Sequence, residues 1–405
     1  MAFGKLFPPA SGDDFAALMM AAAKAAGHSD SLVYDSDRFC LKPPGDGVAV
    51  MYLVNAYDEY RAALPWNRRG VIERFARLYA SLDSVGTISP DDARANLRAR
   101  VRERIIFEHL KLENRVGGAQ AMDTPYRVLG DHLTVEVVYD LPQAIRSVSR
   151  DQLAEWGMTF EEALSLGAQN LLSDGPSRFK TLRSGLYLSE WRDNYDASRL
   201  PLPEIVPSLA VKGRHVAMVP SRDVLIVTGS EDPEGLVAMA KYAQDVLQKP
   251  RPMSGFAFQL GARWEAYLPP PEHPAHALLK LLSAQALAQY YQQQANSLNA
   301  LHAKDNTDIF VAEYMAYRDK KTGVVTASAS WARDVDSLLP RADQILLSER
   351  DPAGGIVLLG AAPWERVAAV AGDLFEAQDL YPPRFRVRGF PTPAQLAEIA
   401  PQPLT

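Results

Sequence analysis

Two apolar runs joined by a short polar turn make up residues 215–229, HVAMVPSRDVLIVTG, and SEDPEGL follows at 230–236. No other stretch constrains the fold as much. A connection this short joins antiparallel neighbours only, because a parallel crossover takes a dozen residues or more. Pro220-Ser221-Arg222-Asp223 has the residue types of a tight turn. Glu231 and Asp232 precede Pro233 and Glu234, where acids complement the dipole of a starting helix. Similar pairs of apolar runs recur along the chain. The expectation is an α+β fold, with antiparallel sheets and helices packed on one face.

A chain of 405 residues exceeds what one hydrophobic core spans, so two or three domains are expected. Two breaks divide it into 1–125, 126–255 and 256–405. NRVGGAQAMDTPY marks the first boundary and KPRPMSG the second. Three stretches, 33–64, 215–243 and 343–375, each read as two strands and a helix. They fit one β-β-α unit used three times, and they fit three independent hairpin–helix units equally. PPGDG at 43–47 and Gly354-Gly355 mark turns between the paired runs.

Helix punctuation is explicit. Ser89 and Pro90 start a helix as N-cap and first helical residue. Ser149 with Gln152 and Thr159 with Glu162 form capping-box pairs, and Gly157 between them suits a left-handed cap. The spacing of Arg94, Arg98 and Arg102 in DDARANLRARVRERI predicts a basic stripe along one helix face. Acids balance bases over 1–125, so a solvated face is preferred over a phosphate-binding one. The second of the two capped helices opens with TFEEALS, which repels phosphate and disfavours a helix-turn-helix reader. A net charge of −6 adds to that, so nucleic acid is not an expected partner.

One cysteine, Cys40, excludes an intrachain disulfide and a multi-thiolate metal site, and it fits a reducing cytoplasm. The apolar N-terminal stretch is interrupted by Asp13, Asp14 and Lys24, which reads as an amphipathic helix near 12–27. No run of eighteen apolar residues exists, so no membrane span is expected. His273 and His276 lack the spacing of a zinc-binding helix, and Pro274 is placed at the first helical position. Gly229-Ser230 lacks the second glycine of a nucleophile elbow. No phosphate-cradling glycine loop occurs. Neither a cofactor nor a metal is therefore expected.

The combination DNYDASRL at 193–200 followed by VPSRDVL at 219–225 resembles the uncharacterised bacterial YtpQ-like family. VYDLPQAIRSVSRDQLAEWGM upstream is similar as well, and the likeness is best over about 130–300. The resemblance implies a shared role for Asp193, Tyr195, Ser198, Arg199, Pro220, Arg222 and Asp223. It implies no reaction, because the family has no established activity to carry over.

Read as chemistry, these residues allow two arrangements. Asp193 and Arg199 can tie a strand to a turn with Tyr195 packed between them. The same set in a cleft can grip an acidic ligand, since an arginine fork matches a carboxylate. The leading expectation is a non-catalytic binding protein whose partner is a protein or a small anionic ligand. The alternative is a hydrolase or transferase assembled around the DNYDASRL and PSRD segments, with His215 as base.

Overall fold

The computed structural model describes residues 8–28, 31–36, 39–42, 51–83, 88–117, 123–141, 145–175, 178–351 and 355–402. The turns expected at 43–47 and at Gly354 lie outside the described residues. The first part carries α1 (Gly12–Ala25), β1 (Val33–Asp35), β2 (Cys40–Lys42), β3 (Met51–Tyr52), α2 (Val54–Ala62) and α3 (Arg68–Asp83). Next come α4 (Pro90–Asn96), β4 (Leu97–Glu103), α5 (Arg104–Gly117), β5 (Tyr126–Leu129), β6 (Leu133–Asp140), β7 (Ile145–Ser147), α6 (Arg150–Glu155) and α7 (Phe160–Ser173). The hairpins β8 (Phe179–Arg183) with β9 (Leu186–Ser189), and β10 (His215–Ser221) with β11 (Val224–Gly229), precede α8 (Pro233–Leu247). Then follow β12 (Ala257–Leu260), β13 (Trp264–Tyr267) and the long α9 (His276–Lys304). The last part holds β14 (Phe310–Val311), β15 (Met315–Arg318), β16 (Val325–Ala332), β17 (Ser337–Pro340), β18 (Gln344–Arg350) and β19 (Ile356–Pro363). It ends with α10 (Trp364–Ala371), β20 (Glu376–Ala377), β21 (Arg384–Val387) and α11 (Pro393–Ile399).

The fold is α+β. Its central sheet has the order β13-β12-β10-β11-β9-β8 and is antiparallel throughout. Alternation in β10 sends Val216 and Met218 to one core and Ala217 and Val219 to another. Leu236 and Met239 of α8 and Leu279 and Leu282 of α9 cover the first face. The second face packs on Leu97, Ala99 and Val101 of β4 and Val135 and Val137 of β6. A continuous apolar run such as VAMV is the pattern of a strand buried on both faces. The remaining sheets are also mainly antiparallel, with parallel pairing of β14 with β17 and of β16 with β18.

Both expected boundaries fall inside sheets. β4 pairs with β6 across residue 125, and β12 pairs with β10 across residue 255. KPRPMSG is thus part of a strand connection, held by the Met253 N–H donating to the Pro220 carbonyl at 2.8 Å. The stretches 215–243 and 343–375 each form an antiparallel pair followed by a helix, whereas 33–64 holds three antiparallel strands, β1, β2 and β3, before α2.

The arginine helix is corrected. Residues 97–103 are a strand, so Arg98, Arg100 and Arg102 share one strand face and Arg94 belongs to the separate α4. LRARVRE alternates with period two, and the buried Leu97, Ala99 and Val101 select a strand. The four-residue arginine spacing is compatible with both structures and decides neither. β4 also lies close under α7: a Cβ on Gly167 would come within 2.7 Å of the Arg98 and Ala99 backbone. Both capping boxes form, and Gly157 has φ 64° as a left-handed cap requires. Pro274 precedes α9, whose N-cap is Ala275. Among the described residues, no helix is long and apolar enough to cross a membrane.

Candidate functional site

The segment 191–200 folds into a knot of hydrogen bonds. Asp196, with no exposed surface, accepts from the Trp191 N–H at 3.2 Å and the Arg192 N–H at 2.9 Å. That turn holds Arg192 at φ 55° and Asn194 at φ 70°. Asp193 accepts from the Tyr195 N–H at 2.9 Å and from both terminal nitrogens of Arg199, at 3.0 and 2.7 Å. Arg199 is buried and lies 4.3 Å over the Trp191 ring. Burial alone would push the Asp193 carboxyl up; the Arg199 hydrogen bonds and charge outweigh it and hold the group below its ordinary value.

The knot is tied to both neighbouring sheets. Ser198 Oγ accepts from the Val101 N–H of β4 at 3.0 Å. The Ala197 N–H donates to the Arg222 carbonyl, in the turn between β10 and β11, at 3.0 Å. Tyr195 is buried, and its hydroxyl faces Asp140 without a well-formed hydrogen bond among the described residues. Burial, then Asp140, pushes the phenol up; burial likewise raises Asp140.

Of the expected site residues, Asp193 and Arg222 line a common cleft of about 870 Å³. Ser198, Arg199 and Tyr195 are packed beneath it. Asp223 stands beside Arg222 on the turn, 3.6 Å from its Nε and beyond hydrogen-bonding distance. His215 does not join them. It sits at the other end of β10, about 20 Å away along a seven-residue strand. Its Nε2 is 2.9 Å from the Leu209 carbonyl oxygen.

Local sequence reading misses most of the cleft. Arg74 and Arg77 come from α3, Arg100 from β4, and Arg251 from KPRPMSG, the stretch expected to mark the second boundary. Their local signals are the three-residue spacing of Arg74 and Arg77, which places both on one helix face, and the place of Arg100 in the arginine-rich DDARANLRARVRERI. Arg74 and Arg251 both pair with Glu59 of α2, and their guanidiniums lie 5.2 and 5.3 Å from the Phe75 ring. Arg100 donates to Glu136 at 2.8 Å and to Ser147 at 3.0 Å, outside the cleft. Burial, and then the charge of Arg222, lowers the Arg251 guanidinium. Burial, and then Arg100, lowers the neighbouring Arg102 to about 10. The Nε atoms of Arg222 and Arg251 are buried with no hydrogen-bond partner among the described residues. Arg251 also adopts φ 59°, which an arginine takes up at a cost in backbone strain.

A second polar cluster joins β4 and β6 to α9 and the C-terminal part. Tyr290 donates to Glu103, His132 Nδ1 lies 2.8 Å from the Tyr381 hydroxyl, and Arg104 lies 4.3 Å over the Tyr381 ring. Burial raises Glu103 from 4.5 to about 7 and lowers His132 from 6.5 to about 4. A raised carboxyl binds more protons folded than unfolded, so its contribution falls as pH rises from 4.5 to about 7. A depressed histidine does the reverse, and its contribution grows from about 4 to 6.5. The two nearly cancel where the ranges overlap. Glu103→Gln removes the first, so its stability relative to the parent is expected to climb over that range by up to about 1.4 kcal/mol per pH unit. Urea denaturation at several pH values reads the difference. Parallel curves for variant and parent would contradict the assignment.

His273 and His276 each lie against nearby backbone through Nδ1, and His273 Nε2 is buried with no hydrogen-bond partner among the described residues. His273 Nδ1 accepts from the Ala275 N–H at 3.1 Å, and His276 Nδ1 lies 2.6 Å from the Pro269 carbonyl oxygen. Among the described residues, no group of three or more His, Cys, Asp or Glu is placed to hold a metal ion. Comparison with protein-family models, with curated proteins and with solved structures finds no match.

Proposed function

We propose that the protein is a non-catalytic binding protein whose ligand is a small anion held in the arginine cleft. One observation carries the reading. Five arginines line a single cavity in a chain of net charge −6, and two of them bury Nε–H groups without partners among the described residues. Buried donors are ordinarily paired, and a cluster of like charges is unfavourable unless a counter-charge joins it. An anion supplies both needs. The strained Arg251 at the same cleft supports the reading, since such backbone gathers at binding sites. The proposal includes kinship with the YtpQ-like family, on DNYDASRL and VPSRDVL, and a cytoplasmic setting, on the single cysteine.

The test is calorimetric titration with inorganic phosphate at low salt, using the parent chain and Arg222→Gln. The Arg222 side chain is 41% exposed, so the variant is expected to fold. Its affinity is expected to fall by about tenfold to hundredfold, the loss of one charged hydrogen bond. Unchanged affinity would remove the reading, as would a parent chain that binds neither inorganic phosphate nor an organic anion.

A further inference from the structure

We infer that the ligand is an organic dianion of the phosphomonoester class, with its phosphate among the arginines and an apolar body beside it. This rests on the reading that the cleft binds an anion, and it adds charge, size and shape.

Charge comes first. Five guanidiniums face three carboxylates, those of Glu59, Asp140 and Asp193, an excess of two positive charges in the lining. Of the partners outside the lining, Arg199 behind Asp193 adds one charge and Glu136 behind Arg100 removes one. Asp223, half exposed beside Arg222, removes up to one more, so the excess is one to two positive charges. Glu59 serves both Arg74 and Arg251, and Arg77 is exposed with no ion pair among the described residues. A phosphomonoester carries about −1.5 to −2 at neutral pH on one compact centre. A monocarboxylate carries half that. Arg222 and Arg251 lie close enough for one charge to lower the other's proton affinity, which favours a concentrated dianion over two separated carboxylates.

Size and shape come next. A cavity of about 870 Å³ is in the range that encloses a whole organic ligand. A free oxyanion fills only a few water volumes, each about 30 Å³. Phe75, Leu78, Leu141 and Ile145 share the lining with the arginines and offer apolar ground for such a body. Arg74 and Arg251 lie over the Phe75 ring, and Arg251 keeps a buried Nε–H without a partner among the described residues.

The experiment compares phenyl phosphate, inorganic phosphate and benzoate by calorimetry at matched ionic strength. Phenyl phosphate is expected to bind at least about tenfold tighter than either of the others, with the gain lost in Arg222→Gln and in Arg77→Gln. Arg77 is exposed on α3, so that second variant separates lost binding from lost folding. Inorganic phosphate binding as tightly as phenyl phosphate would overturn the organic body. Benzoate binding as tightly would overturn the dianion. In both cases the anion cleft would stand. If no probe binds, the anion reading falls and takes this inference with it.

Discussion

Replacing Arg384 with methionine is expected to cost about 2–5 kcal/mol of stability. Arg384 is buried with no exposed surface. Its Nε donates to Gln294 Oε1 at 2.5 Å, and its Nη1 donates to the carbonyls of Ala312 and Leu338 at 2.7 and 2.9 Å. The guanidinium also lies 5.1 Å over the Tyr291 ring. Burial lowers it to about 10, so it remains charged at neutral pH, stabilised by carbonyl dipoles and an aromatic face. One side chain thereby clamps α9, β17 and the chain after β14 to β21. Methionine preserves much of the volume, so the loss reports stranded acceptors more than a cavity. Lysine keeps the charge but not the fork, and is expected to rescue little. The denaturation midpoint of both variants measures this, and a change within about 0.5 kcal/mol would show that the clamp is not structural.

The second large effect is asymmetric. Asp193→Ala strands the Arg199 cation, whose side chain is 1% exposed, and is expected to cost about 3–5 kcal/mol. Arg199→Met leaves the Asp193 carboxylate, 34% exposed and open to water, and is expected to cost about half as much. The folded pKa of Asp193 lies below its unfolded value, so the stabilisation is present above about pH 4 and is lost as pH falls through the folded value. The gap between parent and Asp193→Ala should therefore close in acid. Chemical denaturation of both variants at neutral and acidic pH checks the order and the sign. Equal costs, or a gap that persists in acid, would mean that the pair is not what holds the 191–200 knot.

Local chemistry in the chain specifies local structure well. A tight turn at Arg222-Asp223, both capping boxes and the left-handed Gly157 follow from residue type and form, although the turn closes between Ser221 and Val224 and leaves Pro220 inside β10. What connects distant parts is harder to read. β4 meets β6 across α5, and β12 returns beside β10 across α8, because long-range pairing depends on sheet packing and leaves no mark in a local window. In 94–104, two periodicities overlap in the same residues, and burial of Leu97, Ala99 and Val101 decides for the strand. The cleft repeats the lesson. Asp193 and Arg222 stand out in the sequence, while Arg74, Arg77, Arg100 and Arg251 gather from a helix, a strand and a connecting stretch. Each looks like ordinary surface charge until the fold assembles them.

The arginines report on the cleft themselves. In a ¹H–¹⁵N spectrum tuned to arginine side chains, the Nε–H signals of Arg222 and Arg251 have no protein acceptor among the described residues, whereas that of Arg384 is bonded to Gln294. On adding phenyl phosphate, the Arg222 and Arg251 signals should move together and saturate, and the Arg384 signal should stay where it is. If Arg222 and Arg251 remain still through saturating ligand, the cleft does not hold the anion.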